Sequence, residues 1–463
     1  MDSRLKQSFD AEAFRAMGHE MVDLMADHLA SVSQNEKANK DYQESNVRLL
    51  EWENHFNTIE DTPMDLFKKV LPQLVHLHHP NFMGHQVVAP APISAISEFF
   101  SGLLNNGTAV YEMAAPAIAM EKIVCEWTAK QFGLIKGTGF LTSGGSLGNL
   151  TAVLAIKKIK AKGVSNPAIM VSSESHYCIS RAAQIAGFGN LGILPIPITT
   201  NRTIDTNELE RVYQEAKAKN INVVAIAANA CSTATGVYDS LEPIGQFAKT
   251  HKLWFHIDGA HGSAAILSKY KGYLKGSALA DSMVVDFHKM WLVSAPATAV
   301  LFKNAHDSYR TFEQKASYLW EKETEEEWYN LGKRTLECTK YMMALKIYAS
   351  LKYITPAAIG AFVDQTYDLA QYMEKAIIAS EYLECYSKIE SNIVCFRYTK
   401  GINLNEVNRS IRKKLLTDGT FYIVQTEIDG ILYLRTSLMS VNSNKSHIDN
   451  LLLAVIKTGI SGT

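Results

Sequence analysis

The chain has 463 residues, 47% hydrophobic and 20% charged, with a formal net charge of −1. That length suits two or three domains around a large core, and near-neutrality leaves no electrostatic footprint for nucleic acid or an acidic membrane surface. No apolar run is long enough to span a bilayer. No apolar h-region follows the N-terminus, so no secretory signal is expected, and the six scattered cysteines form no CxxC, reading as reduced thiols of a cytoplasmic protein.

Taken in order, Ser8 or Asp10 can cap a first helix carrying Phe14, Met17, Met21, Leu24 and Met25 at helical spacing. Residues 31–60 are polar. A helix over 64–77 follows Pro63, which suits a first helical turn. Residues 78–86 hold His78, His79 and His85 with a proline and a glycine. They do not put two ligands on one helical face and no carboxylate is spaced to complete a site, so no metal is expected and the segment reads as a pocket-lining loop. Helical pattern resumes over 94–104 and 116–132.

Residues 139–150 form a glycine and hydroxyl turn running into a helix. Glycines let backbone approach closely, and helix N-terminal N–H groups favour a phosphate. The turn is neither a P-loop nor a GxGxxG fingerprint. Short apolar strands then alternate with helices: strands at 168–171, 223–228, 253–257, 282–285 and 297–302, with helices from about 179 and over 241–249. That alternation predicts a mostly parallel sheet covered on both faces. Each strand ends in polar residues at one edge, where open α/β sheets place ligands. Asp258 ends one strand. Lys289 follows another, beside His288, in company too apolar for a solvated charge, and a buried ammonium must be paired, neutralised or covalently used. Residues 306–330 are polar and charged. A long helix is predicted over 331–351, then a helix over 360–378, strands at 393–398 and 431–436, and a helix over 447–456.

The ordered set Gly144-Gly145-Ser146, His176, Thr233, His256-x-Asp258-x-Ala260, His288-Lys289 and a late Leu434-Arg435 resembles the group II pyridoxal phosphate (PLP)-dependent amino-acid decarboxylases, from His79 to the end. The resemblance implies an α/β fold, PLP-dependent transferase fold type I: a mostly parallel seven-stranded sheet flanked by helices. A helical N-terminal arm (1–77, a dimer contact), a large PLP-binding domain (78–335) and a connecting helix with a small α+β C-terminal domain (336–463) complete the expected organisation.

It also implies roles. Lys289 would be the Schiff-base lysine and Asp258 the partner of the protonated pyridine nitrogen. His176 would stack on one ring face and Ala260 support the other. Gly145 and Ser146 would bind the phosphate with help from His288, and Thr233 would contact the cofactor region. Arg435 resembles an arginine that holds the substrate α-carboxylate, and His85 sits in the substrate segment. Tyr318 falls where relatives carry a mobile loop with a tyrosine that protonates the substrate carbon after CO₂ leaves.

The implied reaction is decarboxylation of an L-amino acid to its amine, by a cytoplasmic homodimer acting on a small molecule, with no nucleic acid or membrane partner. The segment 82–87 lacks the aromatic cluster of aromatic-substrate enzymes, and Gly84-His85 looks most like the 2,4-diaminobutyrate branch, so 2,4-diaminobutyrate or a small acidic amino acid is expected. Leu147-Gly148 and Gly259-Ala260-His261 depart from the commoner family residues. The rivals are a PLP-dependent carbon–carbon lyase of the sphingosine-phosphate type and a catalytically silent PLP-binding homologue.

Overall fold

The computed structural model describes residues 2–32, 34, 42–58, 62–312 and 327–462. The chain divides into two compact units, one of Gln86–Asp368 with Ser387–Ile393, the other of Met1–His85, Leu369–Tyr386 and Val394–Thr463. The sequence reading divides it instead after residues 77 and 335.

The larger unit is built on the expected seven-stranded sheet, with strands β1 (Thr138–Thr142), β2 (Pro167–Ser172), β3 (Ile193–Ile196), β4 (Asn222–Asn229), β5 (Trp254–Asp258), β6 (Ser282–Asp286) and β7 (Thr298–Phe302). Their order is β1-β7-β6-β5-β4-β2-β3. β3, β2, β4, β5 and β6 run parallel, and β7 pairs antiparallel with both β6 and β1. β2, β5 and β6 are buried along their whole length, as continuous apolar runs require when both faces are covered. Helices Gly145–Ile159 and Tyr177–Ile185 pack together on one face. There Val153, Ile156, Ile179 and Ala182 meet Phe140, Ile169, Ala225 and Trp254 in one apolar core.

β1 and β3 are absent from the sequence reading. Residues 139–142 read as a turn because glycine dominates there, yet Thr138–Thr142 is a strand. A Cβ on Gly139 would stand 2.3 Å from the Val300 carbonyl oxygen, so the glycine admits close pairing with β7. β3 holds Pro195 and lies at the sheet edge, the position that tolerates a missing N–H.

The long helix predicted over 331–351 is a second correction. A single 3₁₀ turn, Leu331–Lys333, stands apart from a short helix, Ala344–Tyr353. Between them the chain serves buried partners elsewhere. Arg334 donates to the Gly139 carbonyl at 3.3 Å, the Lys340 carbonyl accepts from Thr108 N–H at 2.9 Å, and the Lys340 ammonium pairs with Glu121. These tertiary bonds replace the intrahelical ones.

In the smaller unit Asp10 caps the helix Ala11–Val32, accepting from Ala13 N–H at 2.8 Å. A four-stranded antiparallel sheet comprises β8 (Leu383–Cys385), β9 (Ile393–Tyr398), β10 (Val424–Ile428) and β11 (Ile431–Ser437) in the order β10-β11-β9-β8. Helices Leu404–Asp418 and Lys445–Gly462 pack on each other, and the first packs on β11. Met83 joins this sheet region by donating to the Tyr422 carbonyl and accepting from Ser437 N–H, both at 2.9 Å. No helix among the described residues is long and apolar enough to cross a membrane.

The Lys340–Glu121 pair is fully buried, with 0% and 1% side-chain exposure. Removing one member leaves an uncompensated interior charge, so Lys340→Met should cost about 3–5 kcal/mol of stability. Denaturant unfolding checks this, and the double variant with Glu121→Gln should recover part of the loss.

Candidate active site

The polar ends of β4, β5 and β6 converge on one cavity of about 270 Å³ within the larger unit. Its lining includes Gly145, Ser146, His176, Thr233, Asp258, Ala260, His288 and Lys289. These eight come from five separate stretches of sequence, brought together because each lies at or just after the end of a strand at the same sheet edge.

Asp286 is the last residue of β6 and is 1% exposed. The chain turns there, so that Lys289 Nζ reaches back to Asp286 Oδ2 at 2.9 Å. Thr298 on neighbouring β7 donates to Oδ1 at 2.6 Å, and His288 Nε2 lies 3.6 Å from Oδ2. Burial works against the Lys289 ammonium, but Asp286 outweighs it, with Asp258 and Cys178 adding, and the pKa of Lys289 is raised. Burial likewise opposes the Asp286 carboxylate. Lys289, His288 and the Thr298 hydroxyl overcome it, and its pKa is lowered. The pair therefore stands as ammonium and carboxylate.

The same carboxylate faces the start of helix Gly145–Ile159. A Cβ on Gly145 would lie 2.9 and 3.0 Å from its two oxygens, so glycine is required for that approach. The positive helix end also favours the negative charge.

Asp258 ends β5 and is 8% exposed. Its Oδ2 accepts from Asn149 Nδ2 at 2.8 Å and its Oδ1 from the Ala260 N–H at 3.2 Å. His176 is the N-cap of helix Tyr177–Ile185, and its Nδ1 accepts from Cys178 N–H at 3.3 Å. Burial lowers its pKa, against the pull of Asp258, so the imidazole is neutral near pH 7. The cavity-lining thiols of Cys178 and Cys231 are each pushed up to about 12 by burial and stay protonated.

His85 and Arg435 lie in the smaller unit. His85 is close to the Tyr422 ring, with centroids 5.9 Å apart, while Arg435 is buried on β11. Partial burial, then Arg435 and Arg412, lower the His85 pKa. Tyr318 lies outside the described residues. Asn149, Tyr177, Cys178, Cys231, His261 and Asp286 also line the cavity and were given no role from sequence. Two of them carried a signal: Asp286 stands three residues before Lys289, and Asn149 one helical turn after Gly145.

The arrangement suits a flat, anionic, nitrogen-containing aldehyde. It offers an amine for the carbonyl, a pinned carboxylate for a ring N–H, an imidazole for a ring face, and a helix end with a hydroxyl for a phosphate. Pyridoxal phosphate fits this donor set.

A family model described as the pyridoxal-dependent decarboxylase conserved domain matches residues 45–399. An aromatic-L-amino-acid decarboxylase of Bacillus atrophaeus is 27% identical, over 93% of this chain and 92% of its own length. An L-2,4-diaminobutyrate decarboxylase of Acinetobacter baumannii is 24% identical, over 86% and 83%. A crystal structure of mouse CSAD superposes with a TM-score of 0.90 at 20% identity, covering 97% of this chain and 99% of that one, a likeness of fold.

Asp286 sets the Lys289 proton affinity, so Asp286→Asn should lower the pH at which Nζ becomes nucleophilic. Cofactor-free protein should then label faster at Lys289 with an amine-directed reagent as pH rises through neutrality, and an unchanged pH profile would contradict the pairing.

Proposed function

The chain belongs to the pyridoxal-dependent decarboxylase family and is a PLP-dependent amino-acid decarboxylase; we propose that it acts on 2,4-diaminobutyrate or a small acidic L-amino acid rather than an aromatic one. The observation that carries the reading is the Lys289–Asp286 pair opening on the same cavity as Asp258 and His176. His85 and Arg435 are the proposed substrate contacts. The relatives quoted are decarboxylases, which favours this reading over a carbon–carbon lyase or a silent homologue.

When bound, pyridoxal phosphate supplies an electron sink for the pair released as CO₂ departs. The residues that would hold it are these. Lys289 Nζ would be the covalent anchor. Asp258, pinned by Asn149 and the Ala260 N–H, would hold the proton on the ring nitrogen. His176 would cover one ring face and Ala260 the other. Gly145, Ser146, His288 and Thr233 would take the phosphate end. Before bonding, Lys289 must lose a proton and part from Asp286 Oδ2, 2.9 Å away. Tyr318 is the proposed donor of the proton to the substrate carbon.

We further propose a cytoplasmic homodimer. Helix Pro92–Leu104 shows Ile96, Phe99, Phe100, Leu103 and Leu104 about half exposed, an apolar row of the kind that a second copy would cover. Cys125, Cys178 and Cys231 are buried thiols, in keeping with a reducing compartment.

The test is amine and CO₂ formation by PLP-loaded protein with 2,4-diaminobutyrate, aspartate, glutamate, cysteine sulfinate, tyrosine and tryptophan. One non-aromatic substrate should dominate, and Lys289→Ala should fall below ~0.1% of that rate. An aromatic amine as main product would overturn the substrate assignment. Full turnover by Lys289→Ala would overturn the mechanism.

A further inference from the structure

Alternate residues of a strand share a face, so β5 sets Trp254, His256 and Asp258 in a row. Trp254 and His256 are each 1% exposed, and neither lines the cavity. The parallel register places Ser282 of β6 beside His256, and the helix Gly145–Ile159 lays Asn149 over the same face. Hydrogen bonds join them in sequence. Trp254 Nε1 is 2.8 Å from Ser282 Oγ, and Ser282 Oγ is 2.9 Å from His256 Nδ1. His256 Nε2 is 2.9 Å from Asn149 Oδ1, and Asn149 Nδ2 is 2.8 Å from Asp258 Oδ2.

The links of Trp254, Asn149 and Asp258 are directed by what each group can do, and the Ser282–His256 link follows from the tautomer they select. An indole N–H only donates, so Ser282 Oγ accepts there and keeps its own proton available for an unprotonated His256 Nδ1. A carboxylate only accepts, so Asn149 must turn Nδ2 toward Asp258 and Oδ1 toward His256. An amide oxygen cannot donate, so the hydrogen between them belongs to His256 Nε2. The imidazole is thus the neutral Nε2–H tautomer. Burial lowers its pKa to about 4, against the attraction of Asp258, and keeps it neutral. The other amide hydrogen of Asn149 meets Cys178 Sγ at 3.2 Å, so the amide has no second orientation of equal quality.

We propose that His256 is a positioning residue of the decarboxylase, acting through Asn149 to fix Asp258 Oδ2 and leave the outward lone pairs of that carboxylate for the cofactor's ring nitrogen. Ser282 and Trp254 select the tautomer that makes this possible. The proposal rests on the reading of Asp258 given above. A buried network of this kind rigidifies only when every member is satisfied, so one missing donor should be felt at the carboxylate.

The two nitrogens of His256 can be replaced separately. Gln at 256 offers an N–H near the Nε2 position, whereas Asn offers one near Nδ1 and leaves Asn149 Oδ1 without a donor. The readouts are pyridoxal phosphate affinity of the cofactor-free protein by absorbance titration, the visible band of the bound cofactor, and kcat and KM separately. His256→Asn and Asn149→Ala should each weaken cofactor affinity ~10-fold or more, alter the band and lower kcat with KM little changed. His256→Gln should recover most of each readout. If His256→Asn does not fold, Ser282→Ala should shift the same readouts in the same direction by less. Equal behaviour of the Gln and Asn variants, or no effect of Asn149→Ala, would overturn the relay. Asp258→Ala separates the two layers. If it leaves affinity and spectrum intact, the reading of Asp258 falls. If it disrupts both while His256→Asn and Asn149→Ala do not, only the relay falls.

Discussion

Two carboxylates end neighbouring strands with almost no access to water, and neither can stay charged there unsupported. Asp286 is matched by the Lys289 ammonium, the Thr298 hydroxyl and a helix end. Asp258 is matched by an amide and a backbone N–H. Much of the local sequence answers these two needs. Gly145 is glycine so that the helix can reach Asp286, and Asn149 is held in the one orientation that presents a donor to Asp258. The parallel sheet contributes the geometry: its strands deliver charged side chains to a single edge, while their apolar bodies hold that edge rigid.

The two carboxylates have different work. Asp258 keeps its place and its partners, as a group that must stabilise charge on a bound ring should. Asp286 holds a lysine as ammonium until the amine is needed, so its partner must be able to leave. Under the proposed role of Lys289 as the covalent anchor, that pairing would be given up when the amine is used. His288 Nε2 lies 3.6 Å from the same oxygen.

The sheet was legible where strands were long and apolar, as over β2, β4, β5 and β6, because such runs have few other uses in a chain of this composition. It was illegible at β1, where Gly139 signals a turn locally but serves close strand pairing, and at β3, a short edge strand with a proline. The false helix over 331–351 failed for a related reason: Arg334 and Lys340 look like surface residues of a helix, yet both are buried and bonded to distant partners. Among site residues, Lys289 and Asp258 stood out as charges ending apolar runs. Asp286 and Asn149 were given no role and His256 only a place in the motif, because their meaning lies in who faces them. That facing depends on strand register and helix placement, which local pattern does not reveal.

The central claim is that Lys289 is the amine that takes the cofactor. The most direct measurement is borohydride reduction of the PLP-loaded protein, followed by proteolysis and mass spectrometry. The pyridoxyl modification is expected on the peptide carrying Lys289, near one per chain. Modification spread over other lysines, with Lys289 unmodified, would contradict it.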